Sequence, residues 1–119
     1  MSKTHNKTTG KIGEDLAVEF LKNKGFQILE RNWNNKWGEI DIIAKDNQTY
    51  VFIEVKTKIG NEFGTPEEMV RPKKLSQIQK IATLYPHSKN SPLRIDVLAI
   101  VLSPGLSLLR LTHHRAVYI

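Results

Sequence analysis

Gly38-Glu39-Ile40-Asp41-Ile42-Ile43-Ala44 and Tyr50-Val51-Phe52-Ile53-Glu54-Val55-Lys56 read as two strands joined by a tight turn. Successive strand side chains alternate between faces. Ile40 and Ile42 therefore point one way, with Glu39, Asp41 and Ile43 pointing the other. In the second strand Val51, Ile53 and Val55 share one face, and Phe52, Glu54 and Lys56 share the opposite one. Asp46, Asn47 and Gln48 supply turn chemistry between them. With Asn47-Gln48 as a two-residue turn, Asp46 pairs with Thr49 and Asp41 falls opposite Glu54. Directly opposed residues have β-carbons ~4.5–5.5 Å apart. A slip of one residue would undo this juxtaposition, and the sequence leaves the register open.

Working outward, a first helix is expected from Gly10 to Lys24. Thr9 is its cap, Leu16, Ala17, Phe20 and Leu21 lie on one face with Ile12 and Gly13, and Gly25 is its C-terminal cap. Residues 1–9 are polar and read as a flexible N-terminus, leaving 10–119 as a single domain. Phe26 to Arg31 forms a short strand, and Asn32 to Lys36 a polar connection carrying Trp33. Beyond the central hairpin comes a loop from Gly60 to Thr65, then a helical turn at Pro66-Glu67-Glu68 capped by Thr65. A longer helix opens at Pro72, with an imperfect apolar stripe of Leu75, Ile78, Ala82 and Leu84-Tyr85, and Pro86 ends it. Leu93 to Leu102 is the strongest β segment, Pro104-Gly105 a turn, and Leu106 to Leu111 a last strand. This order predicts an α/β fold: a central mixed sheet flanked by helices, with the helical crossover letting strands 50–56 and 93–102 run parallel.

The 119 residues suit one domain, and 39% hydrophobic with 25% charged residues suits a globular chain with one modest core. The absence of cysteine excludes disulfides, thiolate metal sites and cysteine nucleophiles. Met1 to Lys11 carries positive charge without an apolar run behind it, and the longest apolar run is Val97 to Leu102, a strand's length. No membrane association and a cytoplasmic location are the expectations. A net charge of +6 fits either a polyanionic partner or plain solubility.

Two carboxylates on one face repel unless a cation, a shared proton or water lies between them. A Mg²⁺-type ion wants oxygen ligands in octahedral geometry, so Asp41 and Glu54 suit a hard divalent metal, with the Val55 carbonyl as a further oxygen. Lys56, on the Glu54 face, suits orienting a water or stabilising charge on a phosphate. The same residues also read as an ordinary solvated strand face. Glu14 either joins the site or is a first-turn acid stabilising its helix. Trp33 and Trp37 flank the approach to Asp41, as hydrophobic cover or as wedges against a nucleic acid. Lys73, Lys74 and Lys80 are placed to contact phosphates or to form a charged helix face. His5, His87, His113 and His114 make no metal cluster, and no HExxH, phosphate-binding GxxxxGK[ST] or serine nucleophile elbow is present.

Beyond the central hairpin, matching segments run over residues 10–101. They include Gly10-Lys11-Ile12-Gly13-Glu14-Asp15-Leu16-Ala17, Asn32-Trp33, Phe63-Gly64-Thr65-Pro66-Glu67-Glu68-Met69-Val70 and Leu93-Arg94-Ile95-Asp96-Val97-Leu98-Ala99. With these the chain resembles the small bacterial YraN-like, or UPF0102, proteins. That family is similar to the restriction-endonuclease-like fold (the PD-(D/E)XK group) and to archaeal Holliday-junction resolvases. Ile40 stands where the broader group commonly has proline. The resemblance implies a metal-dependent nuclease hydrolysing DNA phosphodiester bonds, including branched or repair intermediates. Metal ligands fall on Asp41, Glu54, the Val55 carbonyl and Glu14, the lysine role on Lys56, and the cofactor is Mg²⁺ with Mn²⁺ as an alternative. Lys58, Lys73, Lys74 and Trp37 are the expected nucleic-acid contacts, with DNA as the partner ahead of RNA. Junction resolution would favour a homodimer, since two symmetric cuts need two sites. The competing expectation is a non-catalytic nucleic-acid-binding or adaptor protein on the same fold.

Overall fold

The computed structural model describes residues 3–60 and 65–117. Five strands lie side by side in chain order: β1 (Gln27–Asn35), β2 (Gly38–Asp46), β3 (Thr49–Ile59), β4 (Leu93–Leu102) and β5 (Leu108–His114). Neighbours are antiparallel except β3 and β4, which run parallel from Tyr50↔Leu93 to Ile59↔Leu102. A parallel pair needs a crossover, and helix α2 (Pro72–Ala82) supplies it between two 3-10 turns, Pro66–Met69 and Pro86–Ser88. Helix α1 (Lys3–Asn23) precedes the sheet.

The helices cover opposite faces, so the sheet is buried on both sides. Under α1, Ala17 and Leu21 meet Ile42, Ala44, Val51, Ile53, Leu98, Ile100 and Leu102, all fully buried. Under α2, Ile78, Ile81 and Ala82 meet Ile40, Ile43 and Phe52. Tyr85 completes this layer and makes an edge contact with Trp33 at 5.3 Å between ring centroids. Each fully buried aliphatic contributes about 1.5–3 kcal/mol, which is why the long β4 run Val97–Leu102 lies at the sheet's interior.

Helix α1 ends as its sequence suggests. Gly25 takes φ +93°, the Gly25 N–H donates to Lys22 O at 2.9 Å, and the Phe26 N–H donates to Leu21 O at 3.0 Å. This paired capping suits glycine, and it turns Phe26 back into the core. Nearer the middle, Gly13 is pressed against β3: a β-carbon there would fall on the Thr57 side chain. Gly13→Ala is expected to lower stability by about 1–3 kcal/mol, the cost of overpacking an interior. Thermal unfolding of Gly13→Ala, with and without Thr57→Gly, checks this; the second change should restore much of the loss.

Several boundaries differ from expectation. Helix α1 begins at Lys3, so Thr9 is a buried interior residue rather than a cap, and helix extends into the stretch read as a flexible N-terminus. Strand β1 continues through Asn32–Asn35 because these pair with β2 as far as Asn35↔Gly38, leaving Lys36-Trp37 as the turn. Strand β3 reaches Ile59 on the support of β4. Strand β5 starts at Leu108, since Leu106, at φ +68°, belongs to the turn. Thr65 makes no side-chain cap bond. The α2 stripe runs through Ile81, while Leu84 is left outside at 51% exposure. Of the expected loop at 60–65, residues 61–64 lie outside the described residues.

The β2–β3 turn is the one anticipated. Asp46 pairs with Thr49, Asn47 takes φ 55°, and the ladder runs back to Ile42↔Ile53. At Asp41 the pattern changes. Ile40 packs under α2 with Ile43, and not with Ile42 under α1, so strict alternation fails across Asp41. The paired ladder ends here, freeing the strand to turn.

Candidate active site

Where the β2–β3 ladder stops, the Asp41 side chain takes over its hydrogen bonding: Asp41 Oδ2 accepts the Val55 N–H at 2.8 Å. Continuing the register from Ile42↔Ile53 sets Asp41 opposite Glu54. The two carboxyls share a hydrogen bond. Glu54 is only 6% exposed. A residue's N–H and C=O leave a strand on the same side, so the Val55 carbonyl is also directed toward Asp41.

Burial raises the Glu54 carboxyl to about 8, and the neighbouring Asp41 charge adds to the rise against the opposing pull of Lys74 and Lys56. Burial raises Asp41 as well, with the Val55 N–H and the Glu54 hydrogen bond opposing it. The pair therefore retains a proton more readily than two free carboxyls, because burial disfavours charging either member. Two adjacent acids, Glu54 buried and Asp41 half-buried, that retain a proton are chemically suited to exchange it for a cation. The donors are all oxygen, which fits Mg²⁺ or Mn²⁺.

Glu54 forms one wall of an open cleft of about 310 Å³, whose other lining includes Lys56, Arg71, Lys73, Lys74 and Gln77. Lys74 Nζ stands 3.8 Å from Glu54 Oε2. Lys56, Lys73 and Lys74 thus gather where expected, and Arg71 and Gln77 join them. Sequence reading passed over those two because only the packing of α2 across β3 brings their positions to the cleft. The arrangement, two acids under a rim of cations, can hold a hard cation below and an anion above.

Glu14 sits beside this centre. Its charge disfavours ionisation of both Asp41 and Glu39. Its own Oε1 is engaged, accepting Arg31 Nε at 2.9 Å and Asn32 Nδ2 at 3.1 Å. Arg31 also holds Asp15 at 2.7 Å. Among the described residues no three acidic or histidine side chains are already gathered as a ligand set. Glu39 is exposed, and burial, Asp41 and Glu14 raise its carboxyl.

The remaining expected contacts separate. Trp33 is core cover against Tyr85. Trp37 is 47% exposed at the β1–β2 turn. Lys58 follows Lys56 along β3, outside the cleft lining. His113 and His114 point to opposite faces, as adjacent strand residues must: His113 bonds Asp96 and His114 bonds Glu67. Those acids anchor two polar networks, Asp96 with Arg94 and His113, and Glu67 with Arg110 and His114. Arg110 and His114 hold the Glu67 carboxyl down at about 2 against the effect of burial.

A five-stranded mixed sheet with a helix on each face, carrying paired acids and a lysine where two central strands part, defines a restriction-endonuclease-like α/β domain. Residues 13–100 match the sequence model described as "Uncharacterised protein family UPF0102", and the chain belongs to that family. It is 46% identical over 103 residues to a UPF0102 protein of Dictyoglomus turgidum, a match spanning 84% of this chain and 87% of that one. A Geotalea daltonii UPF0102 protein is 49% identical over 102 residues, covering 83% and 80% of the two chains. A Nocardia farcinica UPF0102 protein is 42% identical over 99 residues, covering 81% and 78%. Among the described residues no helix is long and apolar enough to cross a membrane.

Proposed function

We propose that this protein is a metal-dependent endonuclease hydrolysing phosphodiester bonds in DNA, branched and repair intermediates included. The observation that carries the reading is the Asp41–Glu54 pair, Asp41 half-buried and Glu54 buried and raised to about 8, with Glu54 at the wall of a cleft lined mainly by cations. A purely structural acid pair would gain nothing from that setting, whereas a site for a metal and a phosphate needs both halves of it.

Asp41, Glu54 and the Val55 carbonyl would hold the metal, and Glu14 would join them if freed from Arg31 and Asn32. Bound Mg²⁺ or Mn²⁺ would supply Lewis-acid stabilisation of phosphoryl charge and a more acidic water. A cation held there would displace the proton retained by the Asp41–Glu54 pair into solvent. Lys56 positions the attacking water and donates to a phosphate oxygen as negative charge grows there. Lys73, Lys74 and Arg71 neutralise the flanking backbone, contacts that carry little sequence information. Cleavage of a four-way junction would call for a two-fold homodimer.

The test is cleavage of labelled branched, single-stranded and duplex DNA in Mg²⁺, Mn²⁺ and EDTA. Wild type is compared with Asp41→Ala, Glu54→Ala and Lys56→Ala, each first confirmed to be folded. The expected result is metal-dependent cutting, lost in all three variants. A second reading, a non-catalytic nucleic-acid-binding protein, is favoured by Lys74 Nζ, which stands 3.8 Å from Glu54 Oε2 and sets a cation against the acid pair without a metal. DNA binding without cutting, unchanged in the three variants, would establish that reading instead.

A further inference from the structure

Trp37 stands at the tip of the β1–β2 hairpin, in the two-residue turn Lys36-Trp37 closed by the Asn35↔Gly38 pair. Tight turns favour Asn, Asp and Gly, and nothing in the hairpin's geometry calls for a tryptophan there. Trp33, four residues earlier, shows what a folding tryptophan does in this molecule: half-buried, it packs at a steep angle against Tyr85 at the edge of the core. Trp37 instead leaves nearly half its surface, 47%, in solvent.

Its backbone is nonetheless held firmly. The Trp37 N–H donates to Asn35 Oδ1 at 2.8 Å, and Trp37 O accepts Gln77 Nε2 at 2.6 Å. Gly38, at φ +142°, packs so close to Gln77 that a β-carbon would meet its Nε2. Gln77 is also part of the cleft wall beside Glu54 and Lys56, so one side chain joins the tryptophan's platform to the candidate active site. Two flexible cations attend the ring: Lys36 Nζ lies 5.2 Å and Lys80 Nζ 5.9 Å from its centroid.

An exposed indole on a hydrogen-bonded turn, between two lysines and joined through Gln77 to a cationic cleft, matches what an unstacked nucleotide presents: a flat base and an adjoining phosphate. A base within intact duplex offers no free face to such a ring. We propose that Trp37 stacks on an unpaired base, with Lys36 and Lys80 moving from the ring to the adjoining phosphates, so that the protein selects nucleic acid containing single-stranded segments. The proposal deepens the endonuclease reading, and rests on it for the direction in which the strand leaves Trp37, past Gln77 and into the cleft.

Binding is measured in EDTA, so the result does not depend on cleavage. The probes are a fluorescein-labelled oligothymidylate and a blunt duplex of equal length, followed by anisotropy for wild type, Trp37→Ala and Trp37→Phe. Trp37→Ala should weaken oligothymidylate binding about tenfold, from the stacking energy of one base, and leave duplex binding within about twofold. Trp37→Phe should recover most of the loss. In a Trp33→Phe background, where Trp37 is the sole tryptophan, oligothymidylate should quench the fluorescence and duplex should not. If Trp33→Phe does not fold, the anisotropy series decides alone. Equal weakening of both probes, or no change with either, overturns the inference. Such a result alongside metal-dependent cutting sinks only the role of Trp37. Selective binding without any cutting sinks only the endonuclease reading.

Discussion

Glu54→Gln is expected to abolish metal-dependent cleavage while making the metal-free protein more stable at pH 8. The two effects share one cause. Glu54 titrates near its ordinary 4.5 in the unfolded chain and at about 8 in the fold. Between those values folding takes up a proton, so stability falls as pH rises through the interval and is fully recovered below it. By pH 8 nearly the whole interval has been crossed, a cost on the order of 4 kcal/mol at about 1.4 kcal/mol per pH unit. Glutamine keeps a donor toward Asp41 but carries no charge to bury. Its Tm should therefore stay nearly flat from pH 5 to 8, while the wild-type Tm falls. Millimolar Mn²⁺ should lift the wild type at pH 8 by replacing the lost proton, and should leave the variant where it was. Calorimetry across that pH range, with and without Mn²⁺, reads all of this. A wild-type Tm that is level or rises between pH 5 and 8 would contradict retention of a proton by the Asp41–Glu54 pair.

The second large effect lies away from the cleft. Asp96 is wholly buried on β4, where it accepts Arg94 Nε at 2.9 Å and the Ala116 N–H at 2.9 Å, and meets His113 Nε2 at 2.8 Å. Burial pushes its carboxyl up, but these three donors hold it at about 2. His113, whose side chain is 4% exposed, meets Lys24 Nζ at 3.1 Å through Nδ1 and packs edge-on against Phe20 and Phe26. With Lys24 donating to Nδ1, the Nε2 proton of a neutral ring faces Asp96. The acid thus ties the end of α1, strand β5 and the chain beyond it to the middle of the sheet. Asp96→Ala should cost about 3–5 kcal/mol, because the ring, the guanidinium and a backbone N–H lose a buried partner together. Urea unfolding at pH 7 measures it. In the wild type this contribution should persist above pH 4 and disappear as pH falls through about 2, the direction set by a carboxyl depressed from 3.8. A loss below 1 kcal/mol, on the order expected of an exposed ion pair, would show that the network is dispensable.

These two acids also mark how far the site and fold were legible in the sequence. Glu54 was legible because it sits in a short-range hairpin, where the turn chemistry at Asn47-Gln48 suggested a register that the structure shows from Asp46↔Thr49 to Ile42↔Ile53. Asp96 was legible only as part of a family-like segment, since its partners Arg94, His113 and Ala116 come together through β4–β5 pairing and the return of the chain. The same distinction separates Lys56 from Arg71 and Gln77: the first follows Glu54 by two residues on one strand, and the others reach the cleft on a helix packed from elsewhere. Trp33 and Trp37 differ by four residues and look alike in sequence. Only Tyr85 on one side and open solvent on the other separate core cover from exposed ring.

The sequence by itself determined the element order, the parallel crossover, the helix stop at Gly25 and the turn that offers Asp41 to Glu54. Each follows from local rules of alternation, turns and caps, which act over a few residues. Tertiary structure decided where strands lengthen under their neighbours' support, how Ile40 turns to the α2 side at Asp41, and that Arg31 and Asn32 hold Glu14. It also decided which cations surround the acid pair. Those outcomes depend on which faces meet across the sheet, and burial there sets the protonation of Glu54, a property no residue carries on its own.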